Sequence, residues 1–366
     1  MNHRTLPLRL DHARTWRTYR GGKLLDEWNG LPHPADDNFP EEWIASLVTA
    51  RNPGREQYPE EGLSRLADLA GTPLLRDWIA QQGPAAVGAG HWERYGTSLG
   101  VLVKLIDAGE RLTVQVHPDR DAAQRLFCSR YGKTECWYIL GGRTVNGRPP
   151  CIYIGFRPGV TRRQWEELFR RQDCEGMLAC LHRIPVCPGD VILIRGGVPH
   201  AIGAGCFLTE IQEPTDYTIR VERTTPSGLH IADSACHQGL GFERMFDCFR
   251  YEPVTGEEAR RRWFLRHDPV PLLGGGLRRV LVNADDTPYF SMEELTLTVR
   301  TELPPEKGFS ILVAVEGAGA FVASDGRRVP VRRGEQFFLP AQAGSLCIDP
   351  EDGRPLRILR CGGPAV

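Results

Sequence analysis

The chain has 366 residues, with 45 Lys and Arg against 46 Asp and Glu for a net charge of −1. That length exceeds what one hydrophobic core usually serves and predicts two or three compact units, while the balanced charge excludes a bulk field for nucleic acid or an anionic membrane and favours a small-molecule partner. An apolar fraction of 41% with eight Trp suffices for cores, and 40 Gly with 28 Pro predict many turns and a mainly β protein.

From the amino terminus, Met1 to Leu10 carries two Arg and no apolar run of signal-peptide length, and no later stretch nears the roughly 18 apolar residues of a membrane span. The eleven Cys are scattered and contain no Cys-x-x-Cys pair, which predicts free thiols and a cytoplasmic location. Turns and short strands are expected from Leu6 to Trp43. A helical piece is expected around Leu63 to Gln82, with Leu66, Leu69, Leu74, Leu75 and Ile79 as its apolar face.

From Leu99 the pattern changes to short apolar runs between Gly and Pro, at Leu102–Ile106, Leu112–Val116, Cys136–Leu140, Ile152–Phe156 and Val191–Ile194. These predict strands of a sandwich or barrel. Two helices interrupt them, one opening at Asp119 and one over Thr161–Leu181. A polar passage at Glu257–Arg262 precedes a second strand series: Phe290–Val299, Phe309–Val315, Ala318–Val322, Gln336–Leu339 and Leu356–Leu359. The Gly turn plus acidic residue that opens Pro188-Gly-Asp-Val-Ile-Leu-Ile returns at Arg333-Gly-Glu-Gln-Phe-Phe-Leu, a weak echo that predicts a duplicated fold. The second copy has no His after its strand. The division predicted is residues 1–245 for a metal-binding catalytic unit with its scaffold and helical insertions, and 246–366 for a second β unit without metal ligands.

Three segments carry chemistry. In Leu112-Thr-Val-Gln-Val-His-Pro-Asp, Gln115 and His117 are two apart on a strand and share a face. Gly132-Lys-Thr-Glu-Cys-Trp-Tyr sets Glu135 at the start of an apolar strand. Gly189-Asp-Val-Ile-Leu-Ile-Arg-Gly-Gly-Val-Pro-His runs through a buried strand to a turn that delivers His200. Two imidazoles, a carboxylate and an amide from separate strands suit zinc or another divalent first-row metal. A fourth segment, Thr209 to Arg220, alternates so that Glu210 and Gln212 share a face, with Arg220 beyond.

The order of these motifs resembles that of the type I mannose-6-phosphate isomerases, in their shorter bacterial form. The resemblance runs over about residues 6 to 225 and implies a cupin, or jelly-roll, β-sandwich with inserted helices, followed by a second, degenerate cupin-like β domain. It implies one Zn2+ per chain held by Gln115, His117, Glu135 and His200, and catalytic roles for Arg220 and Lys133, with Asp216 in the same motif as Arg220. Glu210 or a group near Lys133 is the expected proton carrier. The implied activity is interconversion of mannose 6-phosphate and fructose 6-phosphate through an enediolate, with a sugar phosphate as partner and the choice between monomer and homodimer open. The alternatives are another metal-dependent cupin enzyme, an oxygenase or an isomerase of a different sugar, and a non-catalytic sugar-phosphate sensor. Three departures stand out: Arg195 occupies a place where many cupins have Pro, either facing solvent or adding a cation near the phosphate; Gly132 stands where longer relatives often carry His ahead of the catalytic Lys; and Tyr19-Arg-Gly-Gly stands where the family tends to have Trp-Gly-Gly.

Overall fold

The computed structural model describes residues 6–303, 307–351 and 353–366. Among these, the strands in chain order are β1 (Leu8–Arg9), β2 (Ala13–Thr15), β3 (Glu41–Ile44), β4 (Leu102–Asp107), β5 (Gln115–Val116), β6 (Glu135–Gly142), β7 (Cys151–Phe156), β8 (Leu181–Pro185), β9 (Val191–Ile194), β10 (His200–Ile202), β11 (Cys206–Gln212), β12 (Ile219–Arg220) and β13 (Phe264–Leu265). The last third adds β14 (Val270–Pro271), β15 (Leu277–Val282), β16 (Ser291–Leu297), β17 (Thr301–Leu303), β18 (Ser310–Glu316), β19 (Ala318–Ala323), β20 (Arg328–Arg332), β21 (Gln336–Leu339), β22 (Leu346–Pro350) and β23 (Leu356–Gly362).

They build two sandwiches. The first faces a seven-stranded sheet, β13-β9-β6-β11-β4-β3-β2, with a five-stranded one, β12-β5-β10-β7-β8; the second faces β1-β21-β18-β23-β16-β15-β14 with β17-β22-β19-β20. The chain is therefore mainly β and cupin-like, as its turn-rich composition suggests. Two short segments tie the halves together: β1 pairs with β21, and β13 pairs with β9. No described helix is long and apolar enough to cross a membrane.

Alternation along the strands explains the layering. On β6, Cys136 and Tyr138 face the second sandwich, in a core shared with Phe309, Ile311, Phe338 and Leu359. Trp137 and Ile139 face the other way, into the first sandwich, against Ile106, Ile154, Ile194 and Leu208. The five-stranded sheet turns Val114, Val116, Ala201 and Ile219 outward onto Trp165, Leu168, Phe169 and Phe246 of a helical layer. With one side of each short strand committed to these apolar layers, Gln115, His200 and Arg220 are left for the sandwich interior.

Three expected elements differ. The helix over Leu63–Gln82 is confined to Leu75–Gln82, because Gly71-Thr72-Pro73 interrupts it. Thr72 takes φ 39, and Leu66 pairs instead as an isolated bridge with Leu10. Thr161–Leu181 divides into Arg162–Arg171 and Cys174–Ala179, with Gln172 left-handed at φ 50 and the Asp173 side chain accepting from Gly176 N to cap the second helix. The strand expected over Leu112–Val116 is paired only at Gln115–Val116. The helix expected to open at Asp119 does so, with the Asp119 carboxylate accepting from Ala122 N at 2.8 Å.

Phe338 has no solvent exposure and contacts Trp78 and Phe309, at ring-centroid distances of 6.1 and 5.6 Å. Every Trp of the chain lies at or before residue 263, so tryptophan fluorescence reports the first sandwich and its scaffold. Phe338→Ala should destabilise the protein by about 3–5 kcal/mol and, through the shared core, lower the denaturation midpoint seen by that fluorescence. An unchanged fluorescence midpoint would show that the two sandwiches unfold independently.

Candidate metal centre

β5, β6 and β10 bring three side chains to one point inside the first sandwich. His117 follows β5, Glu135 opens β6 and His200 opens β10, directly across from Gln115. The candidate ligand atoms of His117, Glu135 and His200 all lie within 4.8 Å of one another. Each residue is at most 1% exposed.

The hydrogen bonds around the rings fix their tautomers. His117 Nδ1 donates to the Tyr217 carbonyl at 2.7 Å and His200 Nδ1 to the Val198 carbonyl at 2.9 Å. A carbonyl can only accept, so both Nε2 lone pairs point inward, the outer-sphere arrangement of metal-bound histidine. Glu135 Oε2 is 3.1 Å from His117 Nε2, and Oε1 is 3.2 Å from His200 Nε2. Oε1 is buried with no hydrogen-bond partner. Two lone pairs aimed at each other at that distance call for a cation, and a mixed nitrogen and oxygen set fits a divalent first-row metal. Gln115 Nε2 lies 3.3 Å from His200 Nε2, at the edge of the cluster.

Lys133 completes it, with Nζ 2.7 Å from His117 Nε2 and 2.6 Å from Glu135 Oε2. Burial and the adjacent Lys133 ammonium pull the His117 imidazole down to about 3, which keeps it neutral and able to bind metal. Burial alone would push Glu135 up, but Lys133 and the two imidazoles outweigh it and hold the carboxyl well below its ordinary range.

Beside the cluster opens a pocket of about 480 Å³, its open mouth included, lined by Gln115, Lys133, Glu210, Arg220, Arg17 and Lys104 among others. Glu210 sits on β11 opposite Lys104 of β4 and Trp137 of β6. Its oxygens accept from Lys104 Nζ and Trp137 Nε1, each at 3.0 Å. Glu41 accepts from Tyr19 Oη at 2.8 Å and Trp43 Nε1 at 2.7 Å, and lies 3.2 Å from Arg17 and 3.7 Å from Lys104. Asp216 takes Arg17 in a two-pronged pair, both contacts at 3.0 Å, and also accepts from Arg51 N at 2.8 Å.

Arg220 is the exception in this balanced network. It is 8% exposed, and its Nη1 donates only to carbonyls, Ala235 at 2.8 Å and Thr218 at 3.3 Å. Burial, reinforced by Arg17, pulls its guanidinium down to about 10. A buried cation served by neutral acceptors is an anion site.

The comparisons fit this geometry. Residues 283–353 match the family described as mannose-6-phosphate isomerase, cupin domain. The mannose-6-phosphate isomerase ManA of Bacillus subtilis is 26% identical over 265 residues, 69% of this chain and 73% of its own; a mannose-6-phosphate isomerase of Streptococcus mutans is 33% identical over 161 residues, 40% of this chain and 47% of its own. Over most of its length the chain is similar to mannose-6-phosphate isomerases. Among solved structures, the B. subtilis mannose 6-phosphate isomerase superposes with a TM-score of 0.73 at 22% identity, covering 97% of this chain and 99% of that one. A mutant phosphomannose isomerase from Salmonella typhimurium gives 0.72 at 16%, covering 98% and 100%. Both establish the fold.

Within this fold all eight residues singled out in the sequence lie in or around one site. Seven meet at the cluster or line the pocket, and Asp216 stands behind it as the partner of Arg17. Arg195 is different: it is exposed, its Nη2 donates to the Asp286 carbonyl of the second sandwich at 3.1 Å, and it is absent from the pocket lining. The reading of Arg195 as a cation beside the phosphate is therefore replaced by the solvent-facing one. Missed from the sequence are Arg17, Tyr19, Glu41 and Lys104 as a buried charge network. The polar positions of Leu102-Val-Lys-Leu-Ile-Asp and Glu41-Glu-Trp, inward on otherwise apolar strands, were the available signal.

Burial works against the Asp216 carboxylate, but Arg17 overrides it and holds the group far below the ordinary range. A depressed carboxylate contributes stability that is complete above its unfolded pKa, near 4, and is lost as pH falls towards the folded value. Asp216→Asn should therefore cost about 3–5 kcal/mol at neutral pH, the loss expected for breaking a buried pair. The difference from wild type should shrink as pH falls below about 4. Denaturant titrations at pH 7 and at the lowest pH that keeps the wild type folded check both statements; a pH-independent difference would contradict them.

Proposed function

We propose that this chain is an aldose–ketose isomerase interconverting mannose 6-phosphate and fructose 6-phosphate, with zinc held by His117, Glu135 and His200 and Gln115 at its edge. The observation that carries the reading is the pairing of the converging ligand atoms with an anion-seeking Arg220 beside one pocket. When bound, the metal would polarise the substrate's carbonyl and hydroxyl oxygens as a Lewis acid.

The chain's own groups do the rest. Arg220 pairs with Gln115 across the sheet, and Gln115 pairs with His200, so the guanidinium is one strand removed from the ligands. We assign it to the negative charge that builds on the enediolate oxygens, where fixed positive charge in a water-poor site is most effective. Lys133, already against Glu135 and His117, adds a second cation there. Glu210 has one ion pair and one neutral donor, whereas Glu41 has two cations and two donors around it. Glu210 is therefore the pocket carboxylate assigned to proton transfer, taking the proton from C2 of the aldose and returning it to C1 of the enediolate. Asp216 is assigned a positioning role: by holding Arg17, it keeps that cation's charge compensated, which leaves Arg220 as the cation facing substrate.

A coupled assay of mannose 6-phosphate turnover tests the reading. Glu210→Gln should lower kcat by about 10²–10⁴-fold. Arg220→Ala should lower kcat by about 10²–10³-fold with a much smaller change in KM, as expected for an interaction made mainly in the transition state. Folded, metal-loaded wild type with no turnover would reject this substrate pair, and unchanged kcat in Glu210→Gln would remove that residue from proton transfer.

A further inference from the structure

On the far side of the loop that delivers His200 lies a second, separate pocket, a shallow one of about 440 Å³ with its open mouth included. Its walls are apolar at Phe156, Val198, Pro199 and Trp263, and three guanidiniums, those of Arg195, Arg250 and Arg262, stand around it with one carboxylate, that of Glu252. The Trp263 indole lies directly on Gly155, where a Cβ would come within 1.9 Å of the ring, so the aromatic wall is fixed by close packing. Arg262 is paired with Glu252 at 2.6 Å and Arg250 with Asp119 at 2.6 Å. Arg195 meets the neutral Asp286 carbonyl. Three cations against two carboxylates leave a net positive charge beside an aromatic wall. A planar or apolar body bearing a phosphate or sulfonate matches that combination through bidentate arginine contacts and ring stacking.

The loop between this pocket and the metal centre is held from both sides. Gly197 N donates to the His117 carbonyl at 2.8 Å, and the Val198 carbonyl accepts from His200 Nδ1 at 2.9 Å. From the pocket side, Arg250 N donates to the Gly197 carbonyl at 2.9 Å, and Gly155 N to the Pro199 carbonyl at 2.8 Å. Gly197 has φ +90, and the Arg250 stem lies 2.6 Å from where its Cβ would be. The loop thus has little room to shift without moving a residue that orients His117 or His200.

We propose that this pocket is a second binding site, for an anion with an aromatic or apolar body, and that its occupancy is felt at the metal centre through the loop Arg195–Pro199. The site is distinct from the pocket that takes substrate in the proposed reaction, since the two share no lining residue.

The test is calorimetric titration of the zinc-loaded full chain with phenyl phosphate, and in parallel with inorganic phosphate, in the presence of saturating mannose 6-phosphate. Phenyl phosphate should bind under these conditions, and more tightly than inorganic phosphate. Arg195→Ala and Arg262→Ala should each weaken it by about tenfold or more while leaving basal turnover unchanged. At saturation, phenyl phosphate should change turnover by about fivefold or more in wild type and much less in the two variants. Binding that mannose 6-phosphate displaces, that inorganic phosphate equals, or that both variants retain would overturn the site. Binding with unchanged turnover would overturn the coupling.

Discussion

A carboxylate with no exposure to water must be matched by positive charge, and Glu135 has the Lys133 ammonium at one oxygen and calls for a metal cation at the other. One oxygen shares the Lys133 ammonium with His117, and the other faces the lone pair of His200. Leaving such a group unpaired in the interior would be costly, so the surrounding strands have to hold both imidazoles and the lysine in place. They do so through sheet register: Glu135 is opposite Ile194 and Gln212, and His200 is opposite Gln115 and Ile154. Moving any of these strands by one residue would turn the polar set outward and an apolar residue in.

The remaining charges follow from the same constraint. Glu41, Lys104, Glu210, Arg17 and Asp216 are all at most 5% exposed, and each has an opposite charge within 4 Å. With these compensated among themselves, Arg220 is the guanidinium at the pocket that meets only neutral oxygen. The interior of the first sandwich is therefore divided into an apolar end, built around Trp137, Ile139 and Leu208, and a charged end that holds the chemistry. Among the described residues, the core of the second sandwich is filled by apolar side chains such as Leu295, Leu312, Phe321 and Phe337.

Local pattern carried a good part of this. Period-two alternation placed Gln115 with His117, and Glu210 with Gln212, on common faces, and the Gly turns before β9 and β21 announced similar strands in the two halves. Contacts distant in sequence left no such trace. Arg17 and Asp216 are 199 residues apart, and nothing near either one names the other. The face that Arg195 presents depends on how the second sandwich packs against the first, which is decided by a core drawn from residues as far apart as Leu8 and Cys361. The helix over-reached at Leu63–Leu74 for a simpler reason: leucines at helical spacing are compatible with a looped segment that buries the same side chains, and Gly71 and Pro73 favour the loop.

The proposed reaction requires a metal at His117, Glu135 and His200. The most direct measurement is the metal content and mannose 6-phosphate turnover of one preparation, before chelation, after it, and after zinc is restored, with His200→Ala alongside. About one zinc per wild-type chain is expected, with turnover lost and regained with the metal, and weak zinc retention without turnover in the variant. Full turnover in the chelated, metal-free protein would contradict that requirement.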